Sequence, residues 1–290
     1  MKELFLKRYE KLGISLKQMD LKQSIRINTL KISHDELRER LHERGIVLSK
    51  IPYARDGFWI EKSRFRVSAS PEHLQGLFYI QESASQLAVH ALEPKPGELV
   101  LDMTASPGGK TTQIAQYMEN KGCIIALDIK NLDALNNNVE RLGVENCITY
   151  QTNALDVKKL GLEFDKILLD APCSGNIIIE KDWYTKRSLQ GIEKMSELQK
   201  NLLESGLGVL KKNGILVYST CSLEPEENEL VVDWALKKFN LAVEPVITIG
   251  SNGLVDVFGR KLSPEIKKTK RFWPNKTGTQ GFFIAKLRKK

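Results

Sequence analysis

From residue 98 onward, apolar runs of strand length alternate with longer segments of helix length. The first three are ELVLDM, GGKTTQIAQYMENKG and CIIALD, and the alternation continues through NLDALNNNVERLG, CITYQ and FDKILLD. A helix over about 188–210, the strand GILVYST, a helix over about 226–239 and apolar runs at 241–249 and 280–285 complete the pattern. Strands that alternate with helices predict an α/β fold in which a parallel sheet is covered on both faces. Ligands are then expected at the carboxyl ends of the strands.

A smaller unit of a different kind precedes this pattern. The segment SHDELRERLHERG carries a capping box, in which Ser33 stands three residues before Glu36, and it ends at Gly45, so it predicts a short helix over 34–44. The flanking runs SIRINTLK and GIVLSKIPY alternate like half-buried strands. We therefore divide the chain into a small α+β domain over 1–74 and an α/β domain over 75–290. The small unit is interpreted as an RNA-binding domain or, equally well, as a packing appendage.

Basic residues are concentrated at the two ends of the chain. The net charge is +8, and residues 260–290 hold eleven Lys and Arg residues against one acidic residue, whereas the middle of the chain is acidic. Lys and Arg side chains bind polyanions by neutralising phosphates and releasing counterions. The distribution therefore favours a nucleic-acid partner over charge that serves only solubility.

The spacing of the cysteines and the length of the apolar runs argue against disulfide-rich, metal-binding and membrane proteins. Cys123, Cys147, Cys173 and Cys221 are widely spaced without a Cys-x-x-Cys pair, and the histidines have no metal-ligand spacing, so we expect neither a disulfide framework nor a metal site. The first residues lack the apolar core of a signal peptide, and no run reaches 18 apolar residues. We expect a cytoplasmic protein that does not enter a membrane.

The stretch MTASPGGKTT follows the first strand and is typical of a nucleotide site. A P-loop requires a glycine where this chain has Thr104, and a dinucleotide-binding turn requires Gly-x-Gly-x-x-Gly, which is absent. Asp128, about 20 residues beyond Gly108 at the end of the second strand, is placed to accept hydrogen bonds from ribose hydroxyls. A nucleoside without phosphates, such as S-adenosylmethionine, fits these features, although the spacing alone leaves the P-loop alternative open.

Two further segments place a cysteine just past a buried strand: LLDAPCSG contains Cys173, and YSTCSLEPEENE contains Cys221. Thiols at the carboxyl ends of strands lie on the ligand side of the sheet, where nearby cations lower a thiol pKa. Two cysteines in this setting indicate covalent catalysis, whereas either one alone is more typical of a buried structural residue. The acids of EPEENE are predicted to open a helix, favoured by its dipole.

These motifs, taken together and in order, resemble the Sun/Nop family of S-adenosylmethionine-dependent RNA cytosine-5 methyltransferases, particularly its short archaeal tRNA members. SIRINTLK resembles the N-terminal stretch of the family, FYIQESASQLA its entry into the catalytic domain, and RFWPNKTGTQGFFIAKL its C-terminal signature. The resemblance covers nearly the whole chain. It implies a Rossmann-like class I methyltransferase fold, with a mostly parallel seven-stranded sheet behind a small RNA-binding domain.

The resemblance also implies roles for individual residues. The nucleophile would be Cys221, Cys173 would help to release the product, and Asp170 would contact both the cofactor and the target base. The residues expected to bind the cofactor are Thr104, Ala105, Ser106, Pro107, Gly108, Gly109, Lys110, Asp128, Asn153 and Asp170. The chain departs from the common family pattern at Thr104 and Ser106, and at Asn153, where many members have Asp. Because a Pro-Cys after the fourth strand carries the nucleophile in DNA cytosine-5 methyltransferases, the reverse assignment of the two cysteines stays open.

Basic residues near both termini are expected to face RNA, and Asn28 is equally suited to capping local backbone. The predicted RNA-binding residues are Arg26, Asn28, Lys31, Lys267, Lys268, Lys270 and Arg271. Trp273 is a further candidate for RNA contact. The substrate expected from the resemblance is tRNA, with ribosomal RNA as the alternative, and a noncatalytic RNA-binding assembly factor of the same fold as a third hypothesis.

Overall fold

The computed structural model describes residues 2–14 and 19–290. Its N-terminal part is built around a four-stranded antiparallel sheet with the strand order 2-3-1-4. The elements of this part are α1 (Lys2–Lys11), β1 (Ser24–Ile27), α2 (His34–Glu43), β2 (Val47–Lys50), β3 (Gly57–Lys62), a 3-10 turn (Val67–Ala69), α3 (Pro71–Leu74) and β4 (Phe78–Ile80). The predicted α+β unit at the N-terminus is confirmed.

The helix of this small unit forms where the capping signals place it. The Ser33 hydroxyl accepts a hydrogen bond from the backbone N–H of Glu36 at 3.3 Å, and α2 ends at Glu43, ahead of Gly45 with φ of +78°. The last strand, β4, pairs with β1 although it lies beyond residue 74. The small sheet therefore extends past the predicted domain boundary, and a division after Ile80 fits it better.

The remainder of the chain forms the larger α/β part. Its helices are α4 (Gln86–Leu92), α5 (Gly109–Tyr117), α6 (Asp133–Arg141), α7 (Trp183–Lys186), α8 (Leu189–Val209), α9 (Glu229–Lys238) and α10 (Pro274–Thr277), with 3-10 turns at Ala154–Leu160, Pro225–Glu227 and Pro264–Lys268. Its strands are β5 (Leu99–Asp102), β6 (Cys123–Asp128), β7 (Cys147–Gln151), β8 (Phe164–Asp170), β9 (Leu210–Thr220), β10 (Leu241–Glu244), β11 (Ser251–Asn252), β12 (Asp256–Val257), β13 (Arg260–Lys261), β14 (Lys270–Phe272) and β15 (Phe282–Lys289).

The large sheet has the order β11-β14-β15-β9-β8-β5-β6-β7, with β10 beside the second half of β15. The five strands from β7 to β9 are parallel, and β15 is antiparallel to β9. The predicted mostly parallel sheet is confirmed, but nine strands of the described chain join it instead of seven. The reason is the length of β15, whose first half pairs with β14 and whose second half pairs with β10.

Both faces of the large sheet are covered by helices, because its central strands are apolar on both sides. Leu101 and Leu169 pack with α8 and α9 on one face, while Val100 and Leu168 pack with α4 and α5 on the other. In a sheet of this kind, ligands bind at the carboxyl ends of the parallel strands, which here are the ends of β5, β6, β8 and β9. In the part of the chain that the structure describes, no helix is both long and apolar enough to cross a membrane.

The N-terminal helix does not pack on the small sheet. Phe5 and Tyr9 of α1 join an apolar cluster with Trp183, Tyr184 and Trp273 of the larger part. The rings of Phe5 and Trp183 meet edge to face, with centroids 4.7 Å apart. The N-terminus is thereby held beside the segments that follow β8 and β9.

Candidate active site

The loop that follows β5 joins the ends of three strands. The backbone N–H of Ser106 donates to Asp128 at 2.9 Å, the Thr104 hydroxyl donates to the backbone carbonyl of Asp170 at 2.9 Å, and the Ala105 N–H donates to the Leu127 carbonyl at 2.8 Å. We call residues 104–110 the cofactor loop. Within it, Gly108 has a φ of +104°, which permits the turn into α5, whose first residue is Gly109.

The carboxylate of Asp102 lies beneath the cofactor loop. It is buried and accepts hydrogen bonds from the Thr111 hydroxyl at 2.7 Å and from the Thr104 N–H at 3.4 Å. Burial, together with the nearby charge of Asp170, outweighs these hydrogen bonds and raises the pKa of Asp102 to about 6. Asp102 therefore shapes the loop from inside and does not face a ligand.

The end of β6 has the hydrogen-bond acceptor and the apolar surface that a nucleoside needs. Asp128 accepts hydrogen bonds from the N–H groups of Ser106 and Lys130, both at 2.9 Å, which fix its carboxylate at the edge of the sheet. Ile129 follows with 67% of its side chain exposed, an apolar surface suited to a purine face. The carboxylate can accept from ribose hydroxyls. Sequence reasoning missed Ile129, although an apolar residue directly after a strand-end acid is a readable signal.

Asn153 lies at the end of β7, exposed, and its side-chain oxygen accepts the Leu155 N–H at 3.0 Å. This hydrogen bond begins the 3-10 turn Ala154–Leu160. The side-chain oxygen of Asn153, a residue predicted to bind the cofactor, thus already accepts a local hydrogen bond. A contact from Asn153 to the cofactor stays a prediction.

Asp170, at the end of β8, is held between two side chains. It accepts hydrogen bonds from Lys110 Nζ at 2.5 Å and from the Ser219 hydroxyl at 2.7 Å. Burial lowers the pKa of Lys110, but the charge and hydrogen bond of Asp170 outweigh it, and the pKa of Lys110 is raised overall. Within this ion pair, Lys110 is the proton donor and Asp170 the acceptor. Ser219 was not among the predicted site residues.

Cys173 and Cys221 meet across the ends of β8 and β9. Their sulfur atoms are 3.1 Å apart, and both residues are partly exposed. The hydrogen bond to Cys221, burial and the charges of Cys221 and Glu227 raise the pKa of Cys173 well above its usual range. The charge of a Cys221 thiolate is also among the causes that raise the pKa of Lys110. The arrangement favours the thiol form of Cys173.

The other two cysteines lie away from this pair. Cys123 and Cys147 pack at the edges of the apolar clusters, and burial raises the pKa of both, that of Cys147 to about 12. They are therefore unsuited to act as nucleophiles. Within residues 2–14 and 19–290, no cluster of three His, Cys, Asp or Glu side chains could hold a metal ion.

A buried carboxylate links the residues that follow the two cysteines. Glu227 accepts hydrogen bonds from the backbone N–H of Ser174 at 3.0 Å and from its hydroxyl at 2.8 Å, and the hydroxyls of Ser174 and Ser222 are 3.3 Å apart. Burial raises the pKa of Glu227 to about 7, despite these hydrogen bonds from serines. The network fixes the positions of Cys173 and Cys221 relative to each other. Sequence reasoning read the acids of EPEENE as dipole partners and missed this role.

Three predicted RNA-binding residues are buried, and that prediction is wrong for them. Arg26 is 1% exposed, Asn28 is 2% exposed, and Arg271 is fully buried in an ion pair with Glu229. The Asn28 amide donates to the backbone carbonyls of Gly76 and Leu142, both at 2.8 Å. Hydrophobic neighbours and protein acceptors surround these side chains, so they cannot face RNA.

The other basic candidates differ in the hydrogen bonds and ion pairs that their charged groups form within the protein. Lys31 donates to the backbone carbonyls of Gln75 and Arg141 at 3.0 and 2.8 Å. Three residues near the C-terminus remain available to solvent in part: Lys268 beside Glu265, Lys270 beside Asn252, and the exposed Lys267. Trp273 is buried against Arg271 and does not offer its ring to RNA.

The chain matches two family models over nearly its whole length. The model described as 16S rRNA methyltransferase RsmB/F matches residues 89–288, and the model of the N-terminal domain of 16S rRNA methyltransferase RsmF matches residues 1–83. The tRNA (cytosine(49)-C(5))-methyltransferase of Pyrococcus abyssi is 41% identical over 93% of this chain and 88% of its own length. The 28S rRNA (cytosine-C(5))-methyltransferase of Mus musculus is 40% identical over 92% of this chain. The chain spans 35% of that mouse protein.

Solved structures agree with the family match. A methyltransferase homolog protein from Pyrococcus horikoshii superposes with a TM-score of 0.87 at 47% identity, covering 94% of this chain and 88% of its own. NSun6 from Pyrococcus horikoshii, solved with the S-adenosylmethionine analogue SFG, gives a TM-score of 0.84 at 30% identity, covering 99% of this chain and 94% of its own. The chain therefore belongs to the RsmB/F (Sun/Nop) family of S-adenosylmethionine-dependent RNA cytosine-5 methyltransferases.

Proposed function

We propose that this chain methylates C5 of a cytosine in tRNA through a covalent bond between Cys221 and C6 of the base. The observation that carries the proposal is the 3.1 Å contact between the sulfurs of Cys173 and Cys221, with Lys110 and Asp170 beside them. The substrate class rests on the similarity to the Pyrococcus abyssi tRNA enzyme, 88% of which this chain covers. Ribosomal RNA is the second candidate, because the mouse relative of similar identity is a 28S rRNA methyltransferase.

Covalent catalysis answers the weak nucleophilicity of cytosine C5. A thiolate that adds at C6 places electron density on C5, which can then form the new carbon–carbon bond. Cys221 supports this step because it follows β9 at the carboxyl edge of the sheet, the edge at which Lys110 pairs with Asp170. When bound, S-adenosylmethionine supplies an electrophilic methyl group. The residues that would hold it are the cofactor loop, Asp128 and Ile129.

Two protons must move in this reaction, and the site has a group for each. Addition at C6 puts negative charge toward N3 of the base, where the ammonium of Lys110, held by Asp170, can donate a proton and take it back when the Cys221 bond breaks. After methylation, the C5 proton must leave before the bond to Cys221 can break. A neutral thiol cannot accept this proton, so Cys173, directly beside Cys221, would act after losing its own proton to water, or would orient a water molecule that takes the C5 proton.

The roles of the two cysteines are tested by substitution. We expect Cys173→Ala to accumulate a covalent RNA adduct that survives denaturing electrophoresis, because release is blocked while addition at C6 proceeds. Cys221→Ala should form no adduct and turn over no substrate. Adduct formation by Cys221→Ala together with none by Cys173→Ala would establish the reverse assignment.

The RNA substrate is tested with tritiated S-adenosylmethionine and unmodified tRNA or ribosomal RNA, followed by mapping of the labelled base. Labelled 5-methylcytosine in tRNA supports the proposal, whereas label only in ribosomal RNA supports the second candidate. A target base within a helix must be flipped out, at a cost of a few kcal/mol. Failure of both RNAs to accept label, with both cysteines intact, would favour a noncatalytic assembly factor.

A further inference from the structure

Arg26 connects the small N-terminal sheet to the methyltransferase part. In β1, Ile25 and Ile27 point into the apolar core of the small sheet, and Arg26 therefore points to the opposite face. That face is also covered, because it packs against α5, whose first residues, Gly109 and Lys110, complete the cofactor loop. The result is an arginine only 1% exposed at the junction of the two parts.

The guanidinium of Arg26 binds the first two turns of α5. It donates to the backbone carbonyl of Gly109 at 2.6 Å, to the hydroxyl of Thr112 at 2.9 Å and to the side chain of Gln116 at 3.2 Å. A further bond runs to the side chain of Gln81 at 2.5 Å. Among the described residues, these four acceptors are all neutral oxygens, so the charge of Arg26 is not neutralised by direct contact with a carboxylate.

Burying a charged side chain against neutral acceptors costs free energy that an exposed arginine would not cost. Burial lowers the pKa of Arg26 to about 10, so the side chain still carries its charge at neutral pH. Asp56 lies one side chain further away, because it accepts a hydrogen bond from Gln116 at 2.9 Å. A surface salt bridge would hold two domains together without this cost.

The contacts of Arg26 continue into the cofactor loop itself. Thr112, which accepts from Arg26, donates its hydroxyl proton to the carbonyl of Gly108 at 2.7 Å. Tyr79, from β4 of the small sheet, packs so closely on Gly109 that a Cβ there would be 2.9 Å from the ring. The guanidinium of Arg26 stacks over the same ring, 5.5 Å from its centroid. Arg26 and Tyr79 of the N-terminal sheet thus hold Gly108 and Gly109 in place, through Thr112 and by direct packing.

We propose that Arg26 is a positioning residue for S-adenosylmethionine: it holds Gly108 and Gly109 in the conformation that binds the cofactor, and it makes the N-terminal part a component of the cofactor site. This inference rests on the proposed function, since it assigns the cofactor loop to S-adenosylmethionine. It replaces the role in RNA binding that the sequence suggested for Arg26. Arg26 acts through the loop and does not touch the reacting atoms.

The test measures binding of S-adenosylmethionine by calorimetry in the absence of RNA, for the full chain. We expect Arg26→Gln to weaken the affinity by about tenfold or more, because the loop then populates its binding conformation only in part. Affinity for RNA should change by less than about twofold, since Arg26 is not on the surface. Arg66→Gln is the matched control: it removes the same charge from an exposed position of the same part and should bind the cofactor as the wild type does.

Thr112→Val provides a second variant for the case that Arg26→Gln does not fold. It removes the link from Arg26 to the Gly108 carbonyl and should weaken cofactor binding by a few fold, with faster amide exchange over residues 104–112. Wild-type cofactor affinity in folded Arg26→Gln, or in Thr112→Val if Arg26→Gln is unfolded, would overturn the inference while leaving the proposed function intact. No cofactor binding by the wild-type chain would overturn both.

Discussion

The two loops that build the active site are held by different kinds of contact. The cofactor loop is fixed by backbone hydrogen bonds, by neutral oxygens around Arg26 and by glycines under an aromatic ring. Residues 221–229, which we call the nucleophile loop after the role proposed for Cys221, are fixed by buried glutamates. Both sides contain a buried carboxylate with a raised pKa: Asp102 beneath the cofactor loop, at about 6, and Glu227 in the nucleophile loop, at about 7. Arg26, with a pKa of about 10, keeps its charge around neutral pH. The comparison teaches that a rise of pH between about 7 and 8 acts mainly on the cysteine side of the site, because Asp102 has then largely ionised and the contacts of Arg26 do not change.

Each buried glutamate of the nucleophile loop has a different partner. Glu224 accepts hydrogen bonds from Tyr9 at 2.5 Å and from Arg8 at 3.2 Å, both from α1. Glu227 binds the serines that follow the cysteines. Glu229 pairs with Arg271, whose guanidinium also donates to the carbonyl of Leu223 at 2.6 Å. The N-terminal helix and the C-terminal signature thus converge on the loop that carries Cys221.

The largest expected effect comes from breaking the buried ion pair of the nucleophile loop. Arg271→Gln leaves Glu229 charged, buried and unpaired, so the free energy of unfolding should fall by about 3–5 kcal/mol in urea denaturation. Replacing both partners, as in Arg271→Met with Glu229→Met, should recover much of the loss. If Arg271→Gln lowered stability by less than the uncertainty of the measurement, the loop would not depend on this pair.

Glu227 should make stability depend on pH. Its pKa in the folded chain is about 7, above the ordinary value of 4.5, so the protonated form is favoured by folding. Its contribution is fully present below pH 4.5 and is lost as the pH rises through 7, a change of about 3 kcal/mol. Glu227→Gln cannot ionise, and its free energy of unfolding should fall less than that of the wild type between about pH 5 and pH 8.

The control for this experiment is Glu145→Gln, which changes an exposed carboxylate and should keep the wild-type dependence. Identical pH dependence in Glu227→Gln and the wild type would show that the buried carboxylate does not titrate in this range. The same titration on Arg26→Gln should run parallel to the wild type, because Arg26, with a pKa of about 10, keeps its charge between pH 5 and pH 8.

A smaller effect is expected from adding a methyl group at Gly109, where the ring of Tyr79 packs on the cofactor loop. Gly109→Ala places a Cβ 2.9 Å from the ring of Tyr79, so the ring or the loop must shift, at a cost of about 1–3 kcal/mol in stability. Cofactor affinity should fall as well. Gly191→Ala, where a Cβ meets only the Ser188 hydroxyl at 3.3 Å, is the control. Unchanged cofactor affinity in Gly109→Ala would mean that the loop adapts without help from the N-terminal sheet.

The smallest effect concerns a residue outside both loops. Lys267 is exposed near the C-terminus and is a candidate for a phosphate contact. Lys267→Gln should weaken RNA binding by a few fold at low salt and reduce the slope of log affinity against log salt by about one. Stability and cofactor affinity should be unaffected. A slope equal to that of the wild type would remove Lys267 from the RNA-facing surface.

The ends of the strands were predictable because residue type and periodicity carry that information. The helix predicted over 188–210 is α8, Leu189–Val209, and Cys173 and Cys221 follow β8 and β9 as expected. The helix predicted from 226 begins later, at Glu229, because Pro225–Glu227 form a 3-10 turn and Asn228 has the irregular angles φ −118° and ψ −98°. A local sequence pattern does not resolve such a turn from the helix that follows it.

The environments of Arg26 and Arg271 were not predictable in the same way. In SIRINTLK, alternation marks one face of β1 as apolar, and it leaves Arg26 on a face that would be exposed in an isolated sheet. Packing of a second domain part against that face buries it, and no local pattern encodes this contact. Arg271 is buried for a comparable reason, because its partner Glu229 lies 42 positions away. Basic composition indicates a polyanion partner, but it does not identify which cations face it.

The central claim is that the sulfur of Cys221 adds to C6 of the target base. It is tested most directly with wild-type protein and RNA that carries 5-fluorocytosine at the methylated position, since fluorine at C5 cannot leave as a proton and the adduct persists. Mass spectrometry of the digested adduct should find the nucleotide on the peptide that contains Cys221. A nucleotide attached to the peptide of Cys173, with the Cys221 peptide unmodified, would contradict the account.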